Sequence, residues 1–335
     1  MCGKDYRSCG SNAYLSLGDV QTVYRNLDMQ HVVDVIYGGG GEPFLNPDLS
    51  AIARFTHEQY PVIQHTVISN FISFKAEAVE SMLADSVHFL LSLNAATEST
   101  YRIISGIDLF PAVVEHVRRL IEMRRHGRSR SHIALSMILM RQNIDELTEF
   151  VNLAGRLGVD EVKTLYVRIY PPEHRNRHGR SVQLQEDDSL YFHQEQSDAS
   201  VVAARERARQ LGIAFEHEPL FSVGRSCTRN CNEAWKSLFV NFNGDVYPCP
   251  ASEILFKPKV DAGRYASGNI LRQHWTEFWN NPFWQAVRAS NLPGTTRDVV
   301  PECHCCGNAI CWEGTSSERA HILDWRAAEN SDLSL

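Results

Sequence analysis

The feature that most constrains this chain is a regular alternation between short β-branched or aromatic runs and stretches of helical periodicity, over residues 17–170. Strands are predicted at His31–Tyr37, Val62–Ser69, Val87–Leu93, His132–Met140 and Val162–Tyr170. Between them the pattern predicts helices over Leu17–Met29, Asp48–Gln59, Ala76–Leu83, Thr97–Arg125 and Ile144–Leu157, the fourth broken near Gly106–Pro111. Strands separated by helices of this length build βα units, and βα units build a parallel sheet. In such sheets ligands gather at the carboxyl ends of the strands. The expected class is therefore α/β.

From Pro171 the texture changes. Residues 171–218 are polar, with a basic run His174–Arg180, and read as a linker with a helical excursion that includes Ala203–Leu211. After Glu218 the chain turns to short strands, turns and cysteines; Leu238–Phe242 and Val246–Tyr247 flank Asn243-Gly244, a signal for a two-residue hairpin loop. Trp275–Arg288 reads as an aromatic-rich helical region. The expected division is 1–170, 171–218 and 219–325.

Nine cysteines are distributed unevenly: Cys2 and Cys9 at the front, then seven between Cys227 and Cys311. With no signal-peptide pattern and no apolar run long enough for a membrane helix, a cytoplasmic protein without a membrane association is expected. In that setting clustered thiols point to metal or redox chemistry more than to disulfides. The net charge of −7 argues against a nucleic-acid partner. Cys231-x17-Cys249 followed by Cys303-x2-Cys306 is a four-thiolate pattern that suits either tetrahedral zinc or an iron–sulfur cluster.

Three predicted strand ends carry polar residues. Gly38-Gly39-Gly40-Gly41-Glu42-Pro43 follows the first; its glycines let a ligand approach the backbone, and its carboxylate suits an ammonium group. The simpler reading is a flexible turn. Ser69-Asn70 ends the second strand and Ser92-Leu93-Asn94 the third, where helix capping is the simpler role. Three such tips on one sheet edge favour a shared ligand.

Gly40-Gly41-Glu42-Pro43, Ser92-Leu93-Asn94 and the hairpin segment Cys231–Cys249 resemble radical S-adenosylmethionine enzymes with a C-terminal SPASM or twitch extension. So does Gly268-Asn269-Ile270 followed by Trp279-Asn280 and Pro282-Phe283. The resemblance implies a (β/α)6 barrel, here partial and lacking its first strand, plus a small cysteine-rich iron–sulfur domain. It implies that Gly40, Gly41, Glu42 and Pro43 hold the methionine end of S-adenosylmethionine, with Ser69, Asn70, Ser92 and Asn94 lining the same cofactor. It implies an auxiliary [4Fe–4S] cluster on Cys231, Cys249, Cys303 and Cys306, and Cys2 as a remnant of the catalytic cluster's ligands. The activity implied is reductive cleavage of S-adenosylmethionine to a 5′-deoxyadenosyl radical and hydrogen abstraction from a peptide or small metabolite. An external flavodoxin- or ferredoxin-like electron donor is implied as well.

The sequence also departs from that family. A full SPASM set continues after Cys306 with two more cysteines at set spacings, whereas only Cys311 follows here. No Cys-x3-Cys-x2-Cys motif occurs, and Met1-Cys2-Gly3 fits only its last step, so a start inside the motif is expected. Two other readings therefore stand beside the enzyme: a catalytically incompetent scaffold that binds a cluster or S-adenosylmethionine, and a structural zinc protein.

Overall fold

The computed structural model describes residues 14–39, 41–167, 184–223, 231–250 and 267–292, together with residues 300 and 303. The chain opens with α1 (Leu17–Leu27), β1 (Asp34–Tyr37), α2 (Leu49–Gln59), β2 (Gln64–Ser69), α3 (Ala76–Ala84) and β3 (His88–Ser92). There follow α4 (Glu98–Ser105), α5 (Phe110–Gly127), β4 (Ile133–Leu139), α6 (Leu147–Leu157) and β5 (Glu161–Tyr166). Beyond them lie α7 (Gln194–Leu211) and β6 (Ala214–Glu216). The six strands form one sheet in sequential order, every neighbouring pair parallel.

Local chemistry sets the helix ends where the pattern predicted them. Ser16 caps α1 in a capping box with Asp19, each side chain bonding the other's backbone N–H. The predicted break after Thr97 is real: Gly106, at φ 74°, closes α4, and Pro111 sits in the first turn of α5. The arginines at the end of α5 do more than complement its dipole. Arg124 pairs with Asp160 and donates to the carbonyls of Ser131 and Gly158, tying the helix to the start of β5.

The stretch expected as a linker contributes to the sheet. α7 begins nine residues before the predicted Ala203 (203 − 194) and packs on α6, and β6 pairs with β5 from Glu161↔Ala214 to Lys163↔Glu216. The sheet thus gains its sixth strand from the far side of the excursion. Three residues are too few to give an alternating pattern.

One sheet face carries the core. Val67, Phe89, Leu91, Leu135, Met137 and Val162 are buried against the helices. Alternation turns the intervening residues to the opposite face, where Ile36 and Leu165 are exposed. On that face the register aligns Ser92 with Ser136, and Ser136 with Lys163.

A second core belongs to the C-terminal segment: α8 (Glu233–Lys236), the hairpin β7 (Phe239–Val240) and β8 (Val246–Tyr247), and α9 (Pro282–Ala289). Trp284 is fully buried at its centre and donates its indole N–H to Ser267 O at 2.8 Å. Arg288 lies 4.5 Å over the Trp279 ring and donates to Ala234 O and Trp279 O, joining three segments. This core continues into Val20, Val23 and Tyr24 of α1, and Asn26 Nδ2 donates to Ile270 O at 2.8 Å. The predicted helical region 275–288 is a short 3-10 turn, Trp275–Glu277, then α9, which starts where Asn281 caps it.

The hairpin loop also differs from expectation. Asn241 N–H donates to Asp245 O and Gly244 N–H to Asn241 O, so three residues, not two, turn the chain, with Gly244 in the left-handed position at φ 85°. Asn269 closes the turn from outside, donating to Asn243 O and to Asp245 Oδ1 at 3.0 Å each. A Cβ on Gly244 would come within 2.6 Å of Leu271. The Gly268-Asn269-Ile270 motif is thus a third strand-like partner of the hairpin.

Candidate functional site

The polar tips of β1, β2 and β3 lie side by side on the carboxyl edge of the sheet. Gly38 follows β1 at φ 139° and Gly39 follows at φ 83°, both in conformations that favour glycine. A Cβ on Gly38 would stand 2.8 Å from Ile68 O of the neighbouring strand. Of the two glycines that the resemblance assigns to the cofactor, Gly40 lies outside the described residues, and Gly41 is open, with nothing within 4 Å of an added Cβ. The close approach falls on Gly38, and the four-glycine run contains no signal that separates one member from the next.

Glu42 is committed to its own chain. Its Oε1 accepts from Ser69 Oγ at 2.7 Å and Phe44 N–H at 3.1 Å, and its Oε2 from Asn70 N–H at 3.0 Å. Ser69, buried, also accepts from Phe71 N–H at 2.8 Å. The carboxylate is a latch between the β1 and β2 tips, and Pro43 is buried in the short 3-10 turn Pro43–Leu45 just behind it. Both carboxylate oxygens are thus already engaged by donors of the chain itself.

At β3 the picture is complementary. Among the described residues no hydrogen bond engages the half-buried Ser92 hydroxyl or the Asn94 Nδ2. Asn94 Oδ1 accepts from Ile138 N–H at 2.8 Å. Asn70 uses its Oδ1 for Ile72 N–H at 3.0 Å and is exposed. Loop glycines with open backbone on one side and unengaged donors on the other fit a small polar ligand laid across the tips. The sequence reading missed Asn143 and Glu146, which hold the β3 loop from the loop after β4.

Beneath β1 and β2 lies a buried polar chain. Tyr37 OH donates to Thr56 Oγ1 at 2.8 Å and lies 3.3 Å from His65 Nδ1, and His65 Nε2 lies 3.0 Å from Asp85 O. Burial pushes the Tyr37 phenol up and the His65 imidazole down, so both stay neutral near pH 7.

Of the predicted thiol ligands, Cys231, Cys249 and Cys303 are described; Cys306 and Cys2 lie outside the described residues, as do Cys9, Cys227, Cys305, Cys311, Tyr170 and the basic run His174–Arg180. Cys231 precedes α8, Cys249 follows β8, and Cys303 is buried in the second core with Asn291 Nδ2 3.6 Å from its Sγ. Burial raises the Cys231 thiol, with the Glu233 backbone and the Lys236 ammonium acting the other way. As a donor set the thiols fit iron–sulfur or zinc chemistry, and one small subdomain carries them. Among the described residues no three His, Cys, Asp or Glu side chains gather as a metal site. Phe239 of the hairpin stands 3.5 Å from the position of a Cβ on Gly39, so the thiol-bearing subdomain adjoins the glycine loop.

Residues 231–307 match the model of the SPASM domain, an iron–sulfur cluster-binding domain. A probable GTP 3',8-cyclase of Saccharolobus islandicus is 30% identical over 156 residues, 46% of this chain and 47% of that protein. The PqqA peptide cyclase of Streptomyces rochei is 25% identical over 248 residues, 72% of this chain and 60% of that protein. The matched region spans about half the length of the Saccharolobus relatives. Among solved structures, Streptococcus suis SuiB bound to S-adenosylmethionine superposes with a TM-score of 0.62 at 16% identity, covering 90% of this chain and 66% of that one. Native anSMEcpe with bound AdoMet and Cp18Cys peptide gives a TM-score of 0.58 at 12% identity, covering 93% of this chain and 88% of that one. No described helix is long and apolar enough to cross a membrane. The chain thus carries a SPASM-type segment over residues 231–307 and shares the overall fold of the S-adenosylmethionine-bound SuiB and anSMEcpe structures.

Proposed function

We propose that this chain is a radical S-adenosylmethionine oxidoreductase acting on a peptide, with S-adenosylmethionine laid across the tips of β1, β2 and β3. The observation that carries the reading is the complementary set of tips: a glycine loop locked by the Glu42 latch, on the same sheet edge as the unengaged Ser92 hydroxyl and Asn94 Nδ2. Gly40, Gly41, Glu42 and Pro43 form the methionine end of the cradle; Ser69 and Asn70 anchor it, and Ser92 and Asn94 meet the rest of the cofactor. Cys231, Cys249, Cys303 and Cys306 hold an auxiliary [4Fe–4S] cluster, and Cys2 belongs to the catalytic one. S-adenosylmethionine held there beside a reduced cluster would supply radical hydrogen-abstraction chemistry toward the substrate. The protein's part is to fix the cofactor against the strand tips and to exclude water from it.

The peptide class is supported by the likenesses: SuiB is also solved bound to precursor peptide SuiA, anSMEcpe is solved with a peptide, and one sequence relative is a peptide cyclase. An electron donor of the flavodoxin or ferredoxin type completes the scheme. A second reading, a scaffold that binds S-adenosylmethionine without cleaving it, is favoured by one observation: the 335 residues contain no Cys-x3-Cys-x2-Cys. Equilibrium dialysis against S-adenosylmethionine, followed by assay of 5′-deoxyadenosine after anaerobic reduction, tests both. Binding of S-adenosylmethionine is the expected result. Release of 5′-deoxyadenosine selects the enzyme, binding alone selects the scaffold, and the absence of binding overturns both.

A further inference from the structure

The loop after β3 is held in a costly conformation by a residue far away in sequence. Asn94 has φ 61°, a left-handed backbone that a non-glycine residue keeps only where its surroundings impose it. Asn143, wholly buried, spends its entire side-chain amide there. Its Oδ1 accepts from Met140 N–H at 2.9 Å, while its Nδ2 donates to Ile138 O at 2.8 Å and to Asn94 O at 2.9 Å. Asn94 returns the contact, its Oδ1 accepting from Ile138 N–H at 2.8 Å. Backbone N–H groups face both amide oxygens, so neither side chain can be flipped without placing donor against donor. One turn further on, Glu146 accepts from Ala96 N–H at 2.9 Å, Thr97 Oγ1 at 2.7 Å and Thr100 Oγ1 at 2.6 Å, pinning the rest of the loop.

This arrangement decides what Asn94 offers a ligand. With Oδ1 engaged, only Nδ2 is left, and it is a donor. We infer that Asn143 is a positioning residue for the cofactor site, acting through Asn94, whose amide it aims as a donor at a hydroxyl or carboxylate oxygen of the ligand. The inference rests on the reading that the strand tips bind S-adenosylmethionine. It adds a residue that touches no ligand and a polarity for one that does.

The test is equilibrium dialysis of S-adenosylmethionine, and separately of 5′-methylthioadenosine, which keeps the ribose hydroxyls and lacks the carboxylate. The full-length proteins compared are wild type, Asn143→Ala, Asn94→Gly, their double variant and Asn94→Asp, each with its melting temperature. Asn143→Ala and Asn94→Gly are each expected to weaken S-adenosylmethionine binding about tenfold, and the double variant no more than the weaker single one, because both act at one point. A merely structural Asn143 gives losses that multiply, to about a hundredfold in the double variant, and that outcome overturns the inference. Asn94→Asp keeps the oxygen that Ile138 N–H needs and removes the donor, so it reports even if Asn143→Ala does not fold. It is expected to melt near wild type and to bind at least one of the two nucleosides about tenfold more weakly. Wild-type affinity for both in Asn94→Asp overturns the inference while leaving the cofactor reading intact; a wild-type chain that binds neither overturns both.

Discussion

The strand tips and the cysteine-bearing subdomain sit side by side but are held together by different forces. The tips are built by polar latches: Glu42 between β1 and β2, Glu146 and Asn143 between the β3 and β4 loops, each satisfying two or three donors or acceptors. The subdomain is built by aromatic packing around Trp284, with Arg288 and Asn269 tying its segments. The first region is fixed by directional bonds between loops. The second is a packed scaffold in which Cys231 precedes α8, Cys249 follows β8 and Cys303 is buried. Substitutions should therefore fail differently in the two places.

The largest effect falls on the subdomain. Trp284→Ala removes its central side chain and is expected to cost about 3–5 kcal/mol, read as loss of the subdomain's share of the denaturant transition and of bound iron. Retention of both would show that packing is not what holds the thiols in place. At the tips, Gly38→Ala puts a methyl group against Ile68 O in a left-handed backbone, at a cost on the order of 2 kcal/mol. Its S-adenosylmethionine affinity should fall while the iron content stays. An unchanged affinity would detach the glycine loop from the ligand.

Glu42→Gln is expected to act more mildly, by about 1–2 kcal/mol, because only the oxygen facing Asn70 N–H becomes a donor. Thermal melting and ligand affinity should fall together, since one latch serves both. A fall in melting temperature with unchanged affinity would make Glu42 a purely structural residue. The smallest expected effect is one of pH. His65 is held below its ordinary 6.5 by burial, so the unfolded chain takes up its proton first. The stabilisation is complete above about pH 6.5 and is lost as the pH falls toward the lower folded value. Melting temperatures at pH 7.5 and 5.5 should differ less in His65→Gln than in wild type; an equal difference would place the pH sensitivity elsewhere.

How much of this was legible in the sequence varied with the range of the interaction. β1 to β5 and their helices were readable because each buries a periodic face, and Gly106 with Pro111 marked the one break in the pattern. β6 was not, being three residues long and recognisable only by its pairing with β5. Asn243-Gly244 promised a two-residue turn, but the Asn241–Asp245 pairing closes the loop one residue wider. At the site, Glu42, Ser69 and Asn94 stood out as polar residues at strand ends. Their division of labour did not, because it depends on bonds between loops 27 to 49 residues apart. Asn143 and Glu146 went unmarked for the same reason, Asn143 lying just before and Glu146 inside the predicted helix Ile144–Leu157.

The central claim is that a cofactor cradle of the radical S-adenosylmethionine type and an iron–sulfur subdomain share this chain. Its most direct test is the iron, acid-labile sulfide and zinc content of the anaerobically reconstituted full-length protein beside Cys231→Ser. The account predicts iron and sulfide in equal amounts, at least about four of each per chain, falling by about four in the variant. Zinc without sulfide, or an iron content that Cys231→Ser leaves unchanged, would contradict it.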